Sequence, residues 1–150
     1  MPTYEKWLLL GNLLVTAYLT GLIWTIQVLH YPSFAKFGPA AFSDFHPFHT
    51  ARITLIVALP MVLELALAAG LWLGAAIPEE LLPPWLNAGL LGLVGLIWLS
   101  TFFWAIPLHN RLEQGFDLGI IQQLVAMNWI RTLAWTLRLG VLGMVVARLL

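Results

Sequence analysis

The chain has 150 residues, of which 61% are hydrophobic and only 9% are charged. A soluble domain carries about 25% charged residues, so this composition indicates a protein whose solvent is lipid. Seven Lys and Arg residues balance seven Asp and Glu residues. That balance leaves no basic surface for nucleic acid, which is not expected as a partner. Cysteine is absent, which excludes disulfides, thiolate metal sites and cysteine nucleophiles.

Four segments are apolar over the roughly 20 residues that are needed to cross about 30 Å of hydrocarbon. They are residues 7–29, 53–77, 85–108 and 127–146. Because lipid offers no hydrogen bonds to the backbone, these segments predict an all-α, integral membrane, up-down-up-down four-helix bundle. We expect residues 1–150 to form this single domain in the lipid bilayer. So small a bundle also suits a homo-oligomer or a larger membrane complex.

The connections between the spans carry two further signals. Residues 30–50, between the first two spans, contain three prolines and a series of aromatic residues: Tyr31, Phe34, Phe37, Phe42, Phe45 and Phe48. This composition predicts an aromatic-rich connection that lies in the membrane interface or folds over the bundle as a lid. Asp117, before the last span, is the expected N-cap of the helix that follows it.

Polar residues gather at one end of the predicted bundle. They come from the ends of all four spans, and they are His30, His46, His49, Arg52, His109, Asn128 and Arg131. Since lipid-facing positions do not tolerate such side chains, we predict a composite site that faces the bundle interior. Pro47 raises the alternative that His46 lies outside the helix of the second span.

Helical spacing extends this site along the spans at about 100° per residue. One predicted stripe is Asn128, Arg131, Trp135 and Arg138, and another is His49, Arg52, Ile56, Pro60 and Glu64. A buried charge is usually paired, so Glu64 and Arg138 are predicted to form a structural ion pair. A proton-relay or ligand-binding role for the pair is the alternative.

Three interpretations of the histidines stay open at this stage. They are satisfied by water and headgroups, they supply a general base for a buried organic substrate, or they bind a metal ion or haem through His30, His46, His49 and His109. The cofactor is therefore unknown, and the catalytic interpretation needs none.

The catalytic interpretation assigns a role to each group of polar residues. The candidate bases are His30, His49 and His109, while Arg52, Arg131 and Asn128 stabilise an oxyanion. The candidate ligand-binding residues are Gln27, Tyr31, Asn110, Trp129, Thr132 and Trp135. Guanidinium and amide donors beside indole rings suit a lipophilic, phenol- or quinol-like substrate.

Two short motifs in the second half of the chain resemble a known family. They are Pro107-Leu108-His109-Asn110-Arg111-Leu112 and Asn128-Trp129-Ile130-Arg131-Thr132, the latter followed by Trp135. Together they resemble the C-terminal signature of the DUF1772 family, small four-span membrane proteins that include the fungal anthrone oxygenases. The resemblance implies oxidation of an anthrone to an anthraquinone by O₂ without a recognised cofactor. It also implies functional roles for His109, Asn110, Asn128, Arg131 and Thr132.

The alternative to an oxidoreductase is a non-catalytic membrane subunit, or a membrane protein that binds a small ligand, a metal ion or haem.

The distribution of positive charges predicts the orientation of the chain in the plasma or inner membrane. The connections on the histidine side hold Lys36, Arg52, Arg111 and Arg131, and the other side holds Lys6 and Arg148. The positive-inside rule then places the histidine face in the cytoplasm.

Overall fold

The structure, a computed structural model, describes residues 2–74 and 77–149. Within those residues the chain forms long helices and no strand, which confirms the all-α prediction. We number the helices first to fourth in chain order. They are Thr3–Lys36, Pro39–Gly74, Pro84–Leu112 and Leu118–Ala147. Each is long and apolar enough to cross a membrane, so the chain is a multi-pass integral membrane protein.

Each helix packs against its neighbours in the chain, and the first also packs against the fourth. This arrangement is the predicted up-down-up-down bundle. The helices contain 29 to 36 residues, which at about 1.5 Å per residue makes them longer than the roughly 30 Å hydrocarbon layer. Their ends therefore extend beyond the predicted spans. Residues 75 and 76 of the predicted second span lie outside the described residues.

The aromatic-rich segment predicted between the first two spans is present, and the structure adds that it is itself largely helical. Only Phe37 and Gly38 separate the first helix from the second. Phe34 and Phe42, one on each side of this turn, are fully buried with ring centroids 5.8 Å apart. The aromatic cluster therefore joins the ends of the two helices through contacts between buried rings.

Two prolines change the winding of the helices next to the polar cluster. Pro32 and Pro107 follow the π-helical turns Ile26–His30 and Thr101–Ala105. A proline cannot donate to the carbonyl four residues before it, and its ring crowds that carbonyl. In both helices the affected carbonyl lies inside the π-helical turn. Such a turn adds a residue, and it thereby changes which later side chains face the interior.

The turn between the third and fourth helices depends on one glycine and one aspartate. Gly115 has φ 140°, a conformation that residues with a Cβ rarely adopt. Asp117 Oδ1 then accepts a hydrogen bond of 3.0 Å from the backbone N–H of Ile120. This bond confirms the predicted N-cap, and it satisfies one of the unpaired amides at the start of the fourth helix.

Candidate functional site

Four imidazoles from the first three helices lie together inside one end of the bundle. His30 Nε2 is 2.7 Å from His49 Nδ1, and His46 Nε2 is 3.1 Å from His109 Nδ1. The ring centroids of His49 and His109 are 5.5 Å apart, which joins the two pairs into one cluster. His46 is fully buried inside the second helix, so the alternative that Pro47 leaves it outside that helix is wrong.

A chain of polar contacts leads from this cluster to the fourth helix. The Tyr31 hydroxyl is 3.0 Å from His109 Nε2 and accepts a hydrogen bond of 3.4 Å from Arg131 Nη2. Arg131 also donates to Asn128 Oδ1, and Asn128 Nδ2 donates to Gln27 Oε1 over 2.8 Å. Tyr31 therefore connects the imidazole cluster to the guanidinium of Arg131.

The amide of Gln27 is held from both sides. Its Nε2 donates to the backbone carbonyl of Val125 at 3.1 Å, and its Oε1 also accepts from the Thr132 hydroxyl at 3.3 Å. Thr132 and Gln27 are both buried. This second set of bonds fixes Asn128, and through it the orientation of Arg131 toward Tyr31.

Two nitrogens in the imidazole cluster stand out because they are buried without a hydrogen-bond partner in the described part of the chain. They are Nδ1 of His46 and Nε2 of His49. An unsatisfied buried polar atom lowers the free energy of unfolding by about 1–3 kcal/mol. A cluster with a purely structural role is therefore not expected to contain two of them. Unsatisfied atoms of this kind call for an explanation, of which an exchanged proton or ligand is one.

A cavity of about 220 Å³ lies beside this polar chain. Tyr31, His109 and Arg131 form its polar end. The rest of the lining is almost entirely apolar, and it includes Ile23, Ile26, Met61, Trp98, Ala105 and Trp135. An apolar cavity with a few converging polar groups is typical of a small-molecule site.

A second buried polar layer lies deeper in the bundle. Arg138 Nε is 3.1 Å from Glu64 Oε1, so the pair predicted from the sequence is present, with both side chains essentially inaccessible. Glu64 also accepts hydrogen bonds from the Thr16 hydroxyl at 2.8 Å and from Trp135 Nε1 at 2.9 Å. Arg138 Nη2 donates to Asn12 Oδ1 at 2.6 Å.

Trp135 joins the two layers. Its ring lines the cavity, while its indole N–H is bonded to the Glu64 carboxylate of the deeper layer. The side chain is 1% exposed. The wall of the cavity is therefore held in place by a charge-assisted hydrogen bond, which is stronger than one between neutral groups.

Three predicted site residues lie elsewhere. Arg52 is exposed, and its guanidinium lies 5.3 Å from the centroid of the Phe48 ring. Asn110 is exposed, and Trp129 is 41% exposed and packs edge-on against Trp24. Asn110 and Trp129 are each turned about 100° from an inward neighbour, His109 or Asn128. Arg52, with its long apolar stem, carries its charge to the surface.

The same observation corrects the predicted stripe on the second helix. His49 and Glu64 are buried, but Arg52 and Ile56 between them are exposed. The cavity instead meets this helix at Ile53, Thr54, Val57, Ala58 and Met61. The sequence did not predict this face because its residues are apolar or small. The same residue types occur on helix faces that contact lipid, so the sequence does not distinguish the two.

The metal interpretation of the histidines gains no geometric support. No group of three or more His, Asp or Glu side chains within residues 2–74 and 77–149 has an arrangement that could hold a metal ion. In the cluster, facing nitrogens are hydrogen-bonded in pairs, whereas metal ligands point their lone pairs at a common centre.

Comparison with models of known protein families, with curated proteins and with solved structures gave no match to this chain. The resemblance to the DUF1772 family therefore stays a prediction. What the structure contributes is the geometry of a membrane bundle that buries its histidines next to an apolar cavity.

Proposed function

We propose that the protein is a small membrane oxidoreductase that oxidises a lipophilic phenol or quinol with dioxygen. One observation carries the proposal. His109, Tyr31 and Arg131 are joined by hydrogen bonds, and all three line the same otherwise apolar cavity. A base, a hydroxyl relay and a fixed positive charge are therefore available where an aromatic ring has room to bind.

The hydrogen-bonded chain provides a path for the substrate proton. When Tyr31 donates to His109 Nε2, the Nδ1–H of His109 donates to His46 Nε2. The tyrosine oxygen then accepts the proton of a substrate hydroxyl as its own proton moves to His109, which is the general base. His46 takes the next position in the relay. When a proton then leaves His46 Nδ1, both imidazoles hold the opposite tautomer, and the reversal of both tautomers restores the starting state.

Arg131 stabilises the negative charge that develops on the substrate oxygen. Its guanidinium is buried and is fixed by Asn128 and Tyr31. A preorganised donor of this kind in a dry cavity favours an anion more strongly than the same donor in water does. The electron-rich phenolate or quinolate is then ready to reduce dioxygen.

The redox step balances with dioxygen as the only oxidant. A quinol gives both of its electrons and both of its protons to O₂, so that a quinone and hydrogen peroxide are formed. With an anthrone, the deprotonated ring carbon forms a C–O bond with O₂, and loss of water from the hydroperoxide leaves the carbonyl of an anthraquinone. The DUF1772 resemblance supports this second form of the reaction.

The test is oxygen uptake by the purified protein in nanodiscs with a benzoquinol, a naphthoquinol and an anthrone. We expect uptake with at least one of them, and a loss of about 100-fold or more in the His109→Gln variant, because a general base contributes that much. Arg111→Gln, an exposed change two residues further along the same helix, is the matched control and should retain uptake. Wild-type protein that consumes no oxygen with any of the three substrates would contradict the proposal.

A further inference from the structure

The cavity opens on one side of the bundle. Its exposed lining residues are Thr54 and Ala58 of the second helix and Phe102 and Ile106 of the third. The lining residues of the first and fourth helices are buried or half-buried. The opening therefore lies between the second and third helices.

This opening faces lipid. Its rim contains no charged side chain, and Phe102 and Ile106 are 55% and 42% exposed. Both helices are long and apolar enough to cross the membrane, and exposed apolar side chains on such helices contact acyl chains. Two of the three residues at the polar end of the cavity, Tyr31 and Arg131, are buried on the first and fourth helices, away from the opening.

The size of the cavity limits what it can enclose. A cavity of roughly 150 Å³ accommodates one benzene ring, so about 220 Å³ accommodates one ring or two fused rings. Anything larger has to extend through the opening.

Trp98 also lines the cavity, and its buried indole N–H has no acceptor among the residues that the structure describes. An oxygen atom on a ring bound in the cavity would accept a hydrogen bond from this indole N–H.

We infer that the ligand of this cavity is a membrane-dissolved phenol or quinol with a compact ring head and an aliphatic tail. The head lies in the cavity with its hydroxyl at Tyr31, His109 and Arg131. The tail leaves between the second and third helices and remains among the lipid chains. This inference rests on the proposed function for the identity of the substrate site, but binding itself needs no turnover.

Binding is measured by calorimetry in nanodiscs, with ligand expressed as a mole fraction of lipid. Three probes separate the parts of the inference: a naphthol with a ten-carbon tail, the same naphthol without a tail, and the methyl ether of the tailed compound. We expect both naphthols to bind and the methyl ether to bind at least about tenfold more weakly, because it has no proton to donate to the polar end of the cavity.

The opening is tested by Ala58→Phe, which adds a large side chain at the rim. We expect this variant to weaken the tailed naphthol about tenfold, since forcing an extra ring into an occupied space is strongly unfavourable, and to affect the tailless naphthol less. Ala66→Phe is the matched control, because Ala66 is exposed on the same helix and is not part of the lining. It should leave both affinities unchanged.

The outcomes separate this inference from the proposed function. If none of the probes binds, or if Ala58→Phe affects tailed and tailless naphthol equally, the inference is overturned. If the tailed naphthol binds as expected while no quinol or anthrone supports oxygen uptake, the binding site stands and the oxidoreductase proposal falls. If oxygen uptake is observed but Ala58→Phe does not selectively weaken binding of the tailed naphthol, the oxidoreductase proposal stands and this inference falls.

Discussion

The buried pair of Glu64 and Arg138 permits a double-mutant cycle whose outcome depends on how each side chain is satisfied. In Glu64→Gln, the guanidinium keeps Asn12 Oδ1 and the Leu90 carbonyl as neutral acceptors, but it loses its counter-charge. Removing one member of a buried ion pair costs about 3–5 kcal/mol. We expect the free energy of unfolding to fall by an amount near the upper end of that range, because a guanidinium cannot lose its proton.

The reverse change is expected to be milder. In Arg138→Gln, the Glu64 carboxylate keeps the hydroxyl of Thr16 and the indole N–H of Trp135 as donors. A carboxyl group can also take up a proton and become neutral when its partner is lost. We therefore expect a loss of about 3 kcal/mol, near the lower end of the range for a broken pair.

The double variant removes both charges at once, and its two amides can bond to each other. We expect it to be at least about 2 kcal/mol more stable than the sum of the two single losses predicts, as for residues in direct contact. The assay is SDS titration of the protein in mixed micelles, followed by circular dichroism. Glu80→Gln and Arg111→Gln, both exposed, are controls that should change stability by less than about 0.5 kcal/mol. Additive losses at positions 64 and 138 would refute the reasoning.

Two further predictions concern the site and the fold. Arg131→Gln should lower kcat for oxygen uptake about 100-fold, the usual effect of losing an oxyanion donor, whereas the exposed Arg52→Gln should leave kcat close to wild type. Equal losses in both variants would return Arg52 to the site. Asp117→Ala should cost about 1 kcal/mol in the SDS titration because it removes the N-cap acceptor, and Asp117→Asn should recover most of it. An unchanged midpoint in the alanine variant would show that the cap contributes nothing.

The features that sequence reasoning predicted correctly depend on helical periodicity and on the cost of polarity in lipid. Asn128, Arg131, Trp135 and Arg138 share one face at about 3.6 residues per turn, and all four are buried. The fourth helix contains no proline, so its phase is undisturbed from end to end. Within the hydrocarbon layer a charged or amide side chain on such a helix has to face inward, and this is why the stripe could be predicted.

The sequence pattern does not show two features of the structure, the local winding of the helices and the shape of the cavity between them. Around Pro32 and Pro107 the π-helical turns shift the phase of the residues that follow, and the sequence does not say whether a proline will produce such a turn or, like Pro60, lie inside a continuous α-helix. The predicted pocket was recognised only by its polar residues, and the apolar walls of the cavity were not predicted. It is bounded by apolar residues from several helices, and its volume depends on packing, which no single segment encodes.

The two buried polar layers have different physical character, and this difference bears on function. In the deeper layer the charged side chains Glu64 and Arg138 have bonding partners on the neighbouring helices, as expected of a structural network. The upper layer instead leaves His46 Nδ1 and His49 Nε2 without partners in the described part of the chain, and it borders the cavity through His109.

Because an unsatisfied buried nitrogen is unfavourable, the upper layer is not the arrangement that stability alone would favour. The proposed relay has a use for such an atom, since it passes through His46 and has to end where a proton can be gained or lost. Trp135 connects the layers, so the satisfied network below holds the wall of the site above. The contrast therefore supports a structural role for the layer around Glu64 and the proposed chemistry for the layer around His109.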